Sequence, residues 1–380
     1  MTSRREVEQL LSELIAIDSV NPDLVAGGAG EAAIAGYVAG WLRERDLDVT
    51  LQHVADGRAN VVARASGSGG GKSLMLNAHL DTVGVAGMTD PFAARVDGSR
   101  LYGRGAYDMK GGLAATMLAI AEAHREAHAG DVVLTAVVDE EYASIGTEAI
   151  ARELTADAAI VAEPTELQLC LAHKGFAWLD ITVAGKAAHG SRPDLGIDAI
   201  AKMGPVLVGI ADIDRRIRSR TSHPLLGTGS LHASLVSGGQ ELSSYPERCI
   251  LRIERRTVPG ETRESVEGEL RVLLERIAGE DPAFAADLEV GLVRQPLEVR
   301  PDAPIARAVA RACARINGRE PSVIGQTGWM DSAILAAAGI PSIVFGPGGA
   351  GAHALIEWSD LDQVCLGVDI LVSAIADFCT

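Results

Sequence analysis

Apolar residues near the start of the chain recur every three or four positions, at Val7, Leu10, Leu11, Leu14 and Ile17. That spacing predicts an amphipathic helix, closed by Asn21-Pro22 because proline cannot continue one. Ile34, Tyr37, Val38, Trp41 and Leu42 predict a second helix. Short apolar runs at Val49–Val54 and Asn60–Ala65 follow, and then Leu74-Met75-Leu76, a buried-strand pattern ending at His79. Lys110–Ala127 reads as a helix, and Val132–Val138 as a strand running into Asp139-Glu140-Glu141. Glu148–Leu154 reads as a short helix and Ala158–Ala162 as a strand ending at Glu163. Strands alternating with helices predict an α/β domain with a mostly parallel mixed sheet.

The middle of the chain has another rhythm. Trp178–Val183 alternates as a half-buried strand does, Ile197–Arg220 is helical, and Leu231–Val236 and Cys249–Arg256 suggest a strand pair. Arg263–Ile277 is helical again and Leu288–Val293 is a strand. This β-α-β-β-α-β order is that of a ferredoxin-like unit. The first rhythm resumes with a helix at Pro304–Ile316, a strand at Ser342–Phe345 and a helix at Leu361–Phe378. The expected organisation is one α/β domain, residues 1–175 and 295–380, interrupted by an α+β insert at 176–294.

Composition narrows the partners. The 380 residues carry 34 Lys+Arg against 51 Asp+Glu, a net charge of −17, which argues against nucleic acid and anionic membranes. Five well-separated cysteines without a CxxC pair indicate neither a disulfide scaffold nor a Cys-rich zinc site, so a cytoplasmic location is expected. The first ten residues are charged and show no signal-peptide pattern. Ser332–Ala352 is uncharged and long enough to span a membrane, but Pro341, Pro347 and five glycines make a spanning helix implausible. It reads as a strand with glycine turns. Gly71-Lys72-Ser73 imitates a phosphate-binding loop, but Ser66 stands where the first glycine is required and a strand, not a helix, follows.

The candidate chemistry lies at the ends of the predicted strands. His79-Leu80-Asp81 ends one, Asp139-Glu140-Glu141 another and Glu163-Pro164 a third, while Asp108 sits in a glycine-rich turn before a helix. In open α/β sheets the carboxyl ends of the strands line the ligand crevice, so these acids converge if the strands are parallel neighbours. Gathered carboxylates repel one another, and a cation is the usual remedy. Histidine with several acids and no cysteine suits a catalytic zinc or a similar divalent metal. His79 and Asp81, two apart in an extended segment, share a face, so His79 can bind metal while Asp81 orients its ring. Of the adjacent Glu140 and Glu141, one can bind metal and the other handle a proton. His353, after the loop Gly346–Gly351, offers a further ligand.

Together, HLD at 79–81, GRGAYDMKGG at 103–112, DEE at 139–141, EPT at 163–165, AHGSRPDLG at 188–196 and FGPGGAGAH at 345–353 resemble a known family. It is that of the aminoacylases, acetylornithine deacetylases, succinyl-diaminopimelate desuccinylases and glutamate carboxypeptidases, which are co-catalytic metallopeptidases. The resemblance spans nearly the whole chain, with the motifs in the family's order. It implies a two-metal aminopeptidase-like domain interrupted by a ferredoxin-like lid that often dimerises. His79 and Glu163 would bind one metal, Glu141 and His353 the other, and Asp108 would bridge both. The two ions are expected to be Zn2+, with Co2+ or Mn2+ as options. Asp81 would support the ligands, and Glu140 would be the general base. His189, in the lid, would stabilise the oxyanion, often in the partner subunit's site. Arg256 would hold the substrate carboxylate, helped by backbone N–H groups of the glycine loop around Gly349.

The implied reaction is hydrolysis of an N-acyl-L-amino acid by a hydroxide bridging the two metals, in a cytoplasmic homodimer formed through the lid. A dipeptidase or a glutamate carboxypeptidase-like activity is the alternative within the family. A binding protein on a retired enzyme scaffold is disfavoured, because all five ligands and the base are present. Two departures bear on the substrate: Ser243 stands where many members have Asn, and Trp329 stands where a small polar residue is expected. The Trp329 ring either shapes an apolar pocket or simply packs.

Overall fold

The computed structural model describes residues 3–380, which form two units. The first runs to Leu171 and resumes over Val299–Ile324 and Met330–Thr380. At its centre, Val132–Val137, Leu74–His79, Ala158–Val161 and Ser342–Val344 lie side by side and parallel. The hairpin Asp48–Ala55/Arg58–Ala65 extends this sheet antiparallel on one side, and the strand beginning at Leu169 pairs antiparallel with Ser342–Val344 on the other. The result is a mostly parallel mixed sheet.

Side-chain alternation divides the core between the two faces of this sheet. Leu74, Leu76 and Ala78 point into a large cluster shared with the helices Arg4–Ile15, Ala32–Arg43, Gly111–Arg125, Pro304–Asn317 and Leu361–Phe378. Met75 and Val137 point the other way, toward Ile150 and Leu335 of the short helices Ile145–Glu153 and Ser332–Ala337. Close approach of helix and sheet is written into Gly112, where an added Cβ would lie 1.9 Å from the carbonyl oxygen of Ala162.

Two details depart from the sequence reading. The third long helix starts at Gly111, not Lys110, because Asp108 and Met109 leave helical geometry in a wide turn just before it. The uncharged stretch from Ser332 opens with a helical turn to Ala337 and only then enters its strand at Ser342. The apolar run alone could not separate those states. Beside the site, a small antiparallel sheet pairs Trp358–Asp360 with Arg100–Tyr102 and with Gly349–Ala350. Among the described residues, no helix is long and apolar enough to cross a membrane.

The second unit comprises Ala172–Glu298 and Gly325–Trp329. Its antiparallel sheet runs in the order Ser230–Gly238, Arg248–Thr257, Gly175–Ala184, Ala285–Arg294. The helices Ala199–Arg218 and Arg263–Glu280 share its apolar core, with Leu179, Ile181, Ile210, Leu251 and Leu270 among the buried residues. Asp198 caps the first helix by accepting from the N–H groups of Ile200 and Ala201, and Thr262 with Ser265 forms a capping box on the second. The edge strand Ser230–Gly238 is exposed from His232 onward, with Leu235 and Val236 both about three-fifths accessible.

Candidate active site

Three of the parallel strands deliver acids and a histidine to one end of the first unit's sheet. Leu74–His79 ends in the imidazole itself, Val132–Val137 leads into Glu140 and Glu141, and Ala158–Val161 leads into Glu163. Asp139 adopts left-handed backbone (φ 72°) and turns the chain so that both following glutamates leave the strand direction. Asp108 arrives on the turn after Gly105, whose φ of 78° and close approach to Thr82 exclude a side chain there. His353 comes from the turn after the fourth parallel strand.

Two donor sets result, and they share Asp108. One is His79, Asp108 and Glu163; the other is Asp108, Glu141 and His353; within each set the donor atoms lie within 4.8 Å of one another. His79 Nε2 is 3.2 Å from Asp108 Oδ1 and 3.5 Å from Glu163 Oε1. His353 Nε2 is 3.5 Å from Asp108 Oδ2 and 3.1 Å from Glu141 Oε2. Each oxygen of Asp108 therefore faces a different set.

The electrostatics of this cluster call for positive charge. Burial, with the charge of Glu163 nearby, pushes Glu140 well above the usual carboxylate range. Burial and the neighbouring Asp108 push Glu141 up to about 7, and burial raises Glu163 as well. Asp108 goes the other way, because hydrogen bonds to His353 and His79 outweigh its burial. Burial opposes charging of His79, but the surrounding carboxylates outweigh it and hold the ring well above its ordinary value. His353 is raised to about 10 by its hydrogen bonds to Asp108 and Glu141. Glu141 Oε1 is buried without a hydrogen-bond partner, which costs free energy unless something electropositive meets it. Oxygen and imidazole donors in two small sets, crowded charge and an orphaned carboxylate oxygen fit a pair of divalent cations.

Asp81 has a different place from the one expected. His79 Nδ1 bonds the backbone carbonyl of Asp81 at 2.9 Å, while the carboxylate lies 3.8 Å away and acts on the ring only through its charge. The Asp81 carboxylate instead accepts from the N–H groups of Glu140 and Glu141, each at 3.1 Å, and from Asn21 Nδ2 at 2.7 Å. Asn21 also donates to Asp139 at 3.0 Å, and Arg58 binds Asp139 and Glu31 behind it. A buried polar chain thus fixes the Asp139–Glu141 turn. Asn21 was legible only as a helix stop, since nothing in its spacing points to residues 81 and 139.

Gly349 also differs from expectation. Its N–H donates to Glu166 Oε1 at 3.1 Å, and the same carboxylate accepts from Gln363 Nε2 at 3.2 Å. The amide expected to meet a substrate carboxylate is engaged by a carboxylate of the chain itself.

His189 and Arg256 belong to the second unit. His189 is exposed, and its Nδ1 accepts from the N–H of Ser191 at 3.2 Å, which leaves Nε2 to carry the proton. Ser243 acts through its backbone, its carbonyl accepting from Gly190 N–H at 2.7 Å, so a side-chain amide is not what holds this turn. Arg256 is paired with Glu254 (Nε to Oε1, 2.7 Å) and lies over the Phe176 ring, so the expected carboxylate binder already holds an internal carboxylate. Trp329 packs edge-on to Phe176 and His173 and donates from Nε1 to the Gln295 carbonyl at 3.1 Å.

Comparison with known proteins agrees with this geometry. Residues 75–377 match the model of Peptidase family M20/M25/M40. An acetylornithine deacetylase of Myxococcus xanthus is 29% identical over 382 residues, covering 97% of this chain and 96% of that protein. The N-formyl-4-amino-5-aminomethyl-2-methylpyrimidine deformylase of Bacillus subtilis (strain 168) is 27% identical over 412 residues, covering 99% and 95%. Among solved structures, the aminopeptidase PepT of Bacillus cereus ATCC 10987 superposes with a TM-score of 0.81 at 20% identity, covering 100% of this chain and 99% of that one. With the family match spanning most of its length and the fold reproduced from end to end, the chain belongs to Peptidase family M20/M25/M40 and is an amide-bond metallohydrolase.

Proposed function

We propose that the protein removes a small acyl group from an N-acyl-L-amino acid. The observation that carries this reading is Glu140, a half-buried carboxylate beside the two donor sets but a member of neither. In this reading His79, Asp108 and Glu163 would hold one divalent cation and Asp108, Glu141 and His353 the other, with Zn2+ the first candidate. Such a pair, when bound, polarises the amide carbonyl and acidifies water.

The remaining work falls to side chains. Glu140 accepts a proton from the attacking water and passes it to the departing amine. Asp81 keeps Glu140 in place through the peptide N–H it binds. His189, protonated on Nε2, donates to the carbonyl oxygen as that oxygen gains charge. Arg256 takes the substrate carboxylate in competition with Glu254. The second unit serves as the lid, and its open edge strand supports assembly as a homodimer. The five free cysteines suit a cytoplasmic enzyme.

Both full-length relatives quoted are named for removing a small acyl group, acetyl in one and formyl in the other, and this favours deacylation over peptide cleavage. The test is hydrolysis of N-acetyl, N-formyl and N-succinyl amino acids and of simple dipeptides by metal-loaded protein, chelated protein and Glu140→Gln. Metal-dependent cleavage of one acyl class, lost in the variant, is the expected result. Cleavage of dipeptides alone, or activity indifferent to Glu140, overturns the proposal.

A further inference from the structure

Glu357 lies four residues beyond His353, and its side chain is fully buried. Among the described residues, the hydrogen bonds to its carboxylate come from the turn that carries Asp108. Oε1 accepts from the N–H of Tyr107 at 2.9 Å and of Asp108 at 3.0 Å. Oε2 accepts from Gly105 N–H at 2.9 Å and from Arg104 Nη1 at 2.6 Å. Arg104 is itself buried, and its Nη2 donates to the carbonyl of Ala354, next to His353, at 3.0 Å. One buried ion pair therefore ties the turn bearing the shared carboxylate to the segment bearing the second set's imidazole. The small sheet has already brought both segments together, pairing Trp358 with Tyr102.

The segment around His353 is otherwise largely exposed, residues 352–356 all facing solvent. The side chains of His353, Leu355 and Ile356 are exposed, and His353 itself sits in left-handed backbone at φ 60°. A buried ion pair is poor value as a stabiliser, because desolvating both charges offsets much of their attraction. What it fixes well is geometry, since a guanidinium fork and a carboxylate accepting four bonds admit few alternative arrangements.

We infer that Arg104 and Glu357 are positioning residues that set the distance between Asp108 and His353, and so govern the cation affinity of the Asp108–Glu141–His353 set. The inference rests on the proposed metal-holding reading. Groups that orient ligands without touching the metal typically account for about 10–100-fold in affinity.

The test is titration of metal-free full-length protein with Co2+, followed by visible absorption and by competition with a chromophoric chelator. The wild type is expected to show two affinities. Arg104→Lys keeps the charge but loses the fork that reaches both Glu357 and Ala354. It is expected to weaken one affinity by about 10–100-fold and shift that site's absorption band, with a smaller loss at the other site, which shares Asp108, and no change in the melting temperature of the metal-free protein. Glu357→Asp, with a shortened carboxylate, is expected to do the same to a smaller degree. Unchanged affinities in both variants overturn the inference while leaving the metal reading intact. So does equal loss at both sites together with a lowered melting temperature of the metal-free protein, which would make the pair a staple of the fold. A wild type that takes up no Co2+ overturns both.

Discussion

Replacing Asn21 by Ala tests the buried polar chain behind Glu140. Asn21 is wholly buried, and its Nδ2 bridges Asp81 at 2.7 Å and Asp139 at 3.0 Å. The substitution removes both donors and leaves two buried carboxylates facing a hole. Hydrogen bonds to charged groups are worth roughly 1.5–3 kcal/mol each, so the two together suggest about 3–6 kcal/mol. Arg58 still reaches Asp139, which places the expected loss near 3 kcal/mol. The Oδ1 of Asn21 also accepts from the N–H groups of Asp23 and Leu24, so the segment after the first helix should loosen as well. The assay is urea unfolding of metal-free protein, read as a shift in midpoint at constant slope, alongside kcat and KM of the loaded enzyme. If Asp81 places Glu140 through the backbone, kcat should fall with little change in KM. A stability loss under about 1 kcal/mol with kcat intact would refute the argument, because two buried carboxylates cannot lose their shared donors so cheaply unless they were never charged.

Three further outcomes are expected. Glu140→Gln should lower kcat by about 10²–10⁴ while leaving two metal ions per chain by elemental analysis, because the residue belongs to neither donor set. Gly112→Ala should cost about 1–3 kcal/mol in urea unfolding, because its Cβ would collide with the Ala162 carbonyl, and activity should suffer through the neighbouring Glu163. His173 gives a pH prediction: burial lowers its pKa from 6.5 to about 4, so the unfolded chain binds the extra proton between those values. Stability should be unaffected by this group above pH 6.5 and fall as the pH drops toward 4, by about 3 kcal/mol in all; unfolding of His173→Phe at pH 7 and 4.5 should show a shallower acid loss.

The parts of this molecule legible in its sequence are those governed by short-range periodicity. Leu74-Met75-Leu76 is apolar without interruption because the sheet has two apolar faces, and that short run announces a strand ending at His79. Once parallel strands are inferred, acids at their ends must neighbour one another, so the gathering of His79, Glu141 and Glu163 could be anticipated from position. Asn21, Arg104 and Glu357 could not. Their bonds go to groups 60, 250 and 253 residues away, several of them backbone amides, which leave no trace in side-chain spacing. The misplacement of Asp81 has a similar origin. The alternation rule put its side chain on the face of His79, but the chain leaves the strand at that point, and its carboxylate turns to the amides of Glu140 and Glu141. Gly349 and Arg256 show another limit: free donors look the same in a sequence as donors already paired with Glu166 and Glu254.

The open edge of the second unit has a consequence for how this chain can vary. The unpaired N–H and C=O groups along one side of Ser230–Gly238 belong to the main chain, and Leu235 and Val236 stand in solvent beside them. No charge or proline interrupts the segment. Drift in its side chains would alter the grip of whatever lies against it but could not delete the ladder of donors and acceptors, whereas a single proline would. The surface is thus robust to most mutation and vulnerable to one residue type, and an unfinished or unfolded copy of the chain would find in it a ready template for mispairing.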